Sequence, residues 1–160
     1  MAGKVALFRV PAQITLGLGA AGTVGMEAKR LGGTHAFVMS DPNVQKVGAT
    51  DRILEALAAQ GIRTTVSTDV VVEPTVESVA PGSAAARDAR CDLIVALGGG
   101  TTLDTAKAVA LLMRNEGSVE DYLGIGLVKQ RGVPSILIPT TSGTGAEITP
   151  NALFLVPADR

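Results

Sequence analysis

Residues 92–114 constrain the fold more than any other stretch. Asp92-Leu93-Ile94-Val95-Ala96-Leu97 is an apolar run, Gly98-Gly99-Gly100 ends it, and a helical pattern follows from Thr101 to Arg114. A strand that is apolar on both faces belongs in the middle of a sheet covered on both sides, which is the situation of parallel strands. Parallel neighbours cannot be joined by a hairpin and need a long crossover, usually a helix. The helix that follows places Ala106, Val109, Ala110 and Met113 on one side. One strand–glycine–helix unit therefore already points to an α/β fold.

The rest of the chain repeats the pattern. His35-Ala36-Phe37-Val38-Met39 reads as a second buried strand, ended by Ser40-Asp41-Pro42. Between Pro42 and Gln60, Val47, Ile53, Leu54 and Leu57 form a helical stripe that Gly61 closes. Ile62 to Val66 is rich in β-branched residues and reads as a strand. Pro74-Thr75-Val76-Glu77 opens a helix, with proline at a tolerated first-turn position. Pro81-Gly82 should kink or break that helix before Ala84 to Arg90 resumes it, because an interior proline costs ~3 kcal/mol. Pro134-Ser135-Ile136-Leu137-Ile138 is a further strand that ends at Pro139. Strand–helix alternation of this kind gives a Rossmann-like parallel sheet with helices on both faces.

Composition narrows the function. The 160 residues carry 14 Lys+Arg against 15 Asp+Glu, a net charge of −1, so the basic excess that would neutralise nucleic-acid phosphates is missing. Hydrophobic residues make up 46%, too many for a disordered chain. No apolar run approaches the ~18 residues that span a bilayer, and Val5 to Val10 is too short for a secretory signal core. Cys91 is the single cysteine, which excludes an internal disulfide and favours the cytoplasm. A chain of this length can form one domain with a real core, here 1–160. Aromatics are only 2%, so Val, Leu, Ile and Ala must fill that core.

Ligands of open α/β sheets bind beyond the carboxyl ends of the strands, where three glycine-bearing turns fall. Gly98-Gly99-Gly100-Thr101 lets backbone N–H groups approach an anion with no Cβ in the way, at the positive end of a helix. Its spacing is not that of a Walker A loop, and pyrophosphate binding is the favoured reading over a tight turn. Thr140-Thr141-Ser142-Gly143-Thr144-Gly145 places four hydroxyls after a strand. It lacks the G-x-S-x-G spacing of a nucleophile elbow, so hydroxyl and backbone contacts to a nucleotide fit it better than covalent catalysis by Ser142. Gly17-Leu18-Gly19-Ala20-Ala21-Gly22 is a literal G-x-G-x-x-G, with Asp41 about 20 residues further on, as the dinucleotide fingerprint asks. The short Ile14-Thr15-Leu16 before it, close to Pro11, is a weak strand. A glycine turn that starts a helix explains the segment equally well.

The isolated side chains favour plain roles. His35 is the only histidine and begins a strand, without the partners a metal site needs. Cys91 precedes a buried strand and reads as a packed thiol. Lys107 reads as a solvated helix lysine that lies close enough to the glycines to meet phosphate, and Tyr122 as a half-buried aromatic.

Two of these segments are recognisable together. Gly98-Gly99-Gly100-Thr101-Thr102-Leu103-Asp104-Thr105-Ala106-Lys107 resembles the GGGS-x-x-D-x-A-K signature of the iron-containing (group III) alcohol dehydrogenases. Ile138-Pro139-Thr140-Thr141-Ser142-Gly143-Thr144-Gly145-Ala146-Glu147-Ile148-Thr149 is similar to their IPTT-x-GTGSE-V-T segment. Phe8, Pro11 and Gly17-Leu18-Gly19-Ala20 are similar to the family's start, and Ser40-Asp41 and Pro74-Thr75 fall where the family has comparable pairs. Thr101 and Ala146 stand where the family has serine, and Pro81 lies in a helix that is normally continuous.

The resemblance implies the cofactor-binding part of an NAD(P)-dependent oxidoreductase that interconverts small alcohols with aldehydes or ketones, and that is a homo-oligomer when complete. It implies that Gly98, Gly99, Gly100 and Thr101 bind the pyrophosphate, with Asp104 and Lys107 in the same motif. Thr140, Thr141 and Thr144 would line the adenine–ribose side of the cleft, and Asp41 would meet the adenosine ribose and favour NAD over NADP. The iron or zinc of such enzymes is held by an Asp and three His of a helical domain. That domain is not represented in residues 1–160, so neither a tightly held metal nor full dehydrogenase activity is expected of this chain alone, and an apolar face should lie exposed. Two other readings remain: a non-catalytic nucleotide-binding module, or a relative of glycerol dehydrogenase or dehydroquinate synthase. The threonine-rich loop favours the alcohol dehydrogenase branch.

Overall fold

A computed structural model of the chain describes residues 9–68 and 75–156. Its element order is α1 (Val24–Arg30), β1 (His35–Ser40), α2 (Pro42–Lys46), α3 (Ala49–Ala58), β2 (Arg63–Ser67), α4 (Val79–Asp88), β3 (Leu93–Gly98), α5 (Gly100–Leu112) and β4 (Ser135–Pro139). The four strands form one sheet in the order β2-β1-β3-β4, and every pairing is parallel. β1 and β3 are buried at every residue, as apolar central strands should be. β2 and β4 form the partly exposed edges.

Alternation along the central strands splits the core into two layers. Phe37, Met39, Ile94 and Ala96 face α4 and α5, where Val79, Ala86, Leu103 and Val109 pack on them. Ala36, Val38, Leu93, Val95 and Leu97 face α1 and α3 and meet Val24, Ala28, Ile53 and Leu57. Helices on both faces of a parallel sheet make this the Rossmann-like α/β arrangement that the sequence pattern implies.

Four local expectations need correction. The Pro42–Gln60 stripe is two helices rather than one, because Gly48 takes a left-handed conformation (φ 72°) between them. Val47, assigned to the apolar stripe, is 77% exposed there. The break at Pro81 does not occur. A short 3₁₀ turn over Val76–Ser78 precedes α4, which leaves Pro81 in the helix's first turn, where its missing N–H costs no intrahelical bond. Gly82 beside it lies where a Cβ would be 3.2 Å from Val109, so this pair sets the close approach of α4 to α5. The helix after the triple glycine is not amphipathic but buried nearly all round, since the sheet, α4 and the segments 132–133 and 149–155 all pack on it. Finally, Ile14-Thr15-Leu16 is not a strand, and Ile14 and Leu16 are exposed. Gly17 and Gly19 form a positive-φ turn into a 3₁₀ turn and then α1. The strand that a dinucleotide fingerprint requires is missing among the described residues at this point, and the glycine-turn reading holds. Pro74 and Phe8 lie outside the described residues.

At the amino ends of the central strands, Asp92 ties β1 to β3. Its carboxylate accepts from the backbone N–H groups of Thr34 and His35 and from the Thr34 hydroxyl, at 2.5–3.0 Å. Burial pushes this carboxyl up, but the hydrogen bonds from Thr34 and His35 outweigh it and hold it below the usual range. A depressed folded-state value contributes stability above the ordinary carboxylate range, and that stability is lost as pH falls through the folded value. At neutral pH, Asp92→Asn should cost about 1–3 kcal/mol. Urea titrations at falling pH should show the gap between wild type and variant closing in acid, and a pH-independent gap would contradict the role.

Candidate functional site

The triple glycine lies where β3 becomes α5, and each glycine has its own neighbour. A Cβ on Gly98 would overlap the Thr102 side chain of the same motif. On Gly99 it would lie 3.3 Å from Thr141 Oγ1, and on Gly100 3.2 Å from Thr144 Cβ. The glycine loop therefore has the threonine loop as its wall. One backbone bond joins the two, Thr140 N–H to the Gly98 carbonyl at 2.9 Å. Positive φ at Gly143 (100°) and Gly145 (66°) turns the threonine loop sharply enough to bring Thr144 over Gly100.

Gly99 is the N-cap of α5 and supplies no side-chain cap. A 13-residue helix thus begins at a residue with no capping side chain of its own, at the positive end of its dipole. An anion fits such a place because the N–H groups and the dipole act together and no Cβ blocks the approach. Glycine at the helix mouth leaves room there for an anionic group such as a phosphate.

Asp41 follows β1, the strand beside β3 in the sheet, so it lies on the same carboxyl edge as the glycines. Its side chain is the N-cap of α2, and Oδ1 accepts from Asn43 N–H and Val44 N–H at 2.8 and 2.9 Å. Both bonds fall on one oxygen.

Asp104 lies with Gly100 and Thr101 along one cavity, and Lys107 stands next to Asp104. They form a buried ion pair at 2.9 Å, and Lys107 Nζ also donates to the Asn151 carbonyl at 2.6 Å. Asp104 Oδ2 accepts from Leu153 N–H at 3.1 Å. Lys107 is therefore not the solvated lysine that helix position alone suggests. Thr105 Oγ1 bonds to the Thr101 carbonyl within the helix.

Beside this loop pair lies a cavity of about 480 Å³. Gly100, Thr101 and Thr144 form its wall on the glycine side, and Asn151, Leu153 and Phe154 lie among those that complete it. The sequence reading missed the last three. The only signal for them is the i, i+3 spacing of Asp104 and Lys107, which does not reveal that both reach 149–153. Large apolar side chains lie exposed at Leu123, Ile125, Leu127 and Val128, and again at Leu153, Leu155 and Val156.

The remaining candidates lie away from the glycines. His35, at the other end of β1, is buried and shares a 2.9 Å hydrogen bond with Thr65 Oγ1 through Nε2. Cys91 is buried, and burial pushes its thiol up despite a hydrogen bond from Thr65. Tyr122 is half-buried and donates its hydroxyl to the Glu116 carbonyl. Among the described residues, no three His, Cys, Asp or Glu side chains come together where they could hold a metal ion. None of the described helices is long and apolar enough to cross a membrane.

Comparison with known proteins gives a consistent result. The family model described as iron-containing alcohol dehydrogenase matches residues 11–160. Long-chain-alcohol dehydrogenase 1 of Geobacillus thermodenitrificans is 43% identical over 149 residues, which cover 91% of this chain and 38% of that protein. The crystal structure of a 1,3-propanediol oxidoreductase superposes with a TM-score of 0.88 at 32% identity, covering 91% of this chain and 38% of that one. A sulfoacetaldehyde reductase from Bifidobacterium kashiwanohense, solved in complex with NAD+, superposes with a TM-score of 0.82 at 31% identity, covering 92% and 39%. The chain thus spans less than two fifths of each of these three proteins.

Proposed function

Because the chain belongs to the iron-containing alcohol dehydrogenase family, we propose that residues 1–160 are the nicotinamide-dinucleotide-binding part of an alcohol dehydrogenase. The observation that carries this reading is the α5 N-terminus, opened by three glycines and walled by Thr141 and Thr144. The relative solved with NAD+ supports the choice of ligand.

In this reading Gly98, Gly99, Gly100 and Thr101 hold the pyrophosphate through backbone N–H groups and the helix dipole. Thr140, Thr141 and Thr144 line the adenine–ribose side, and Asp41 meets the adenosine ribose. When bound, the nicotinamide ring supplies the acceptor or donor for a hydride exchanged with a small alcohol, aldehyde or ketone. The chain's own contribution is to bind and orient the dinucleotide. The donor set of the described residues does not fit an iron or zinc centre. The single buried thiol of Cys91 fits a reducing compartment such as the cytoplasm.

Cofactor choice tests the reading. The Asp41 carboxylate, with both helix-capping bonds on Oδ1, can take a ribose hydroxyl on Oδ2 and repels a 2′-phosphate. Fluorescence titration should show NADH binding about 10-fold or more tighter than NADPH, and Asp41→Gly should narrow that ratio. No saturable binding of either nucleotide would sink the reading. Equal affinity for both in the unmodified chain would remove Asp41 from it.

A further inference from the structure

The Asp104–Lys107 pair lies in the glycine motif, yet its polar atoms are occupied by the chain itself. Lys107 Nζ is shared between Asp104 Oδ1 at 2.9 Å and the Asn151 carbonyl at 2.6 Å, with Thr149 Oγ1 at 3.5 Å. Asp104 Oδ2 takes Leu153 N–H at 3.1 Å. Both side chains are only about one-eighth exposed, at 12% and 13%. The segment they hold has no strand or helix of its own over residues 149–154. It nevertheless supplies Thr149, Asn151, Leu153 and Phe154 to the cavity that Gly100, Thr101 and Asp104 also line. Backbone without secondary structure keeps a fixed shape only when other groups satisfy its polar atoms. Here two side chains from α5 do so, with charge-assisted bonds, the stronger kind.

We propose that Asp104 and Lys107 are a positioning pair. They strap residues 149–153 onto α5 and so hold one wall of the cavity in place: Asp104, itself among the lining residues, and Lys107 behind it act on a bound dinucleotide through the wall they fix. This rests on the dinucleotide reading above, since a ligand on Gly100 and Thr101 extends into a cavity those residues line. It also gives the two motif residues a reason for their spacing. At i and i+3 both reach the same side of α5, the side on which 149–153 lies.

The test separates the strap from the ligand. Amide hydrogen exchange is read first on the 160-residue chain without nucleotide, for wild type, Asp104→Asn, Lys107→Met and Lys107→Arg. Exchange at Leu153 should rise about 10-fold or more in Asp104→Asn and Lys107→Met, while amides of β3 stay protected and report an intact fold. Lys107→Arg keeps a charged donor and should restore most of the protection. NADH affinity is then measured for the same set and should fall about 10-fold in the first two variants and recover in Lys107→Arg. Leu153→Pro removes the N–H that Asp104 accepts, with Leu153→Ala as the control that keeps it. If Asp104 acts through that N–H, Asp104→Asn should weaken NADH no further in the Leu153→Pro background. Unchanged exchange at Leu153 would overturn the strap. Raised exchange with NADH affinity intact, or full additivity with Leu153→Pro, would overturn its action through the wall. A wild-type chain that binds no NADH would instead sink the dinucleotide reading, while the exchange arm still decides the strap.

Discussion

Gly99→Val is expected to weaken NADH binding by about 100-fold or more, equivalent to roughly 2.8 kcal/mol at 1.4 kcal/mol per tenfold. Of the three glycines, this one separates ligand from fold. A side chain on Gly98 would collide with Thr102, so a loss there would report on folding. A Cβ on Gly99 meets only the Thr141 side chain, its hydroxyl at 3.3 Å and its Cβ at 3.9 Å, and the backbone is extended (φ −78°, ψ −175°), which any residue adopts. The variant should keep its far-UV circular dichroism and a melting temperature close to that of the wild type. What it loses is the bare backbone at the mouth of α5, where valine's methyl groups occupy the volume an anion needs. Calorimetric titration with NADH checks the affinity. Unchanged binding by a folded Gly99→Val variant would mean that the pyrophosphate does not lie on this loop.

The second large effect falls on stability, away from the ligand. Gly25, in α1, is buried where a Cβ would run into the carbonyl group of Ala56 in α3. Neighbouring backbone cannot move aside as a flexible side chain can, so Gly25→Ala forces the two helices apart. Overpacking of this kind costs about 1–3 kcal/mol, more where backbone must shift. At about 2–4 °C per kcal/mol for a chain of this size, melting should fall by roughly 2–12 °C. Thermal unfolding of Gly25→Ala beside Gly22→Ala is the direct check, since a Cβ on Gly22 meets nothing within 4 Å. Equal melting temperatures would show that α1 and α3 cross less closely than described.

Much of this molecule follows from short-range chain chemistry. β1 and β3 lie where apolar runs are ended by Asp41-Pro42 and by three glycines, because a strand buried on both faces needs no polar partner in its own sequence. The glycine cradle is legible for the same reason: its strand, its turn and its helix N-terminus are contiguous. The α2–α3 break, by contrast, depends on whether Gly48 takes up its left-handed freedom, and an unbroken helix would satisfy much of the same apolar pattern. The position of Pro81 within α4 depends on where that helix starts, which the turn before it determines. The wall of the cavity is the clearest case of long-range control. Asn151, Leu153 and Phe154 carry no periodic signal, and they line the cavity beside a segment whose Asn151 carbonyl and Leu153 N–H are bonded by Lys107 and Asp104, more than 40 positions earlier. Pattern along a chain records which residues prefer burial or a turn. Which distant polar groups satisfy one another is settled when the elements pack, and at this site that packing gives 149–153 its shape.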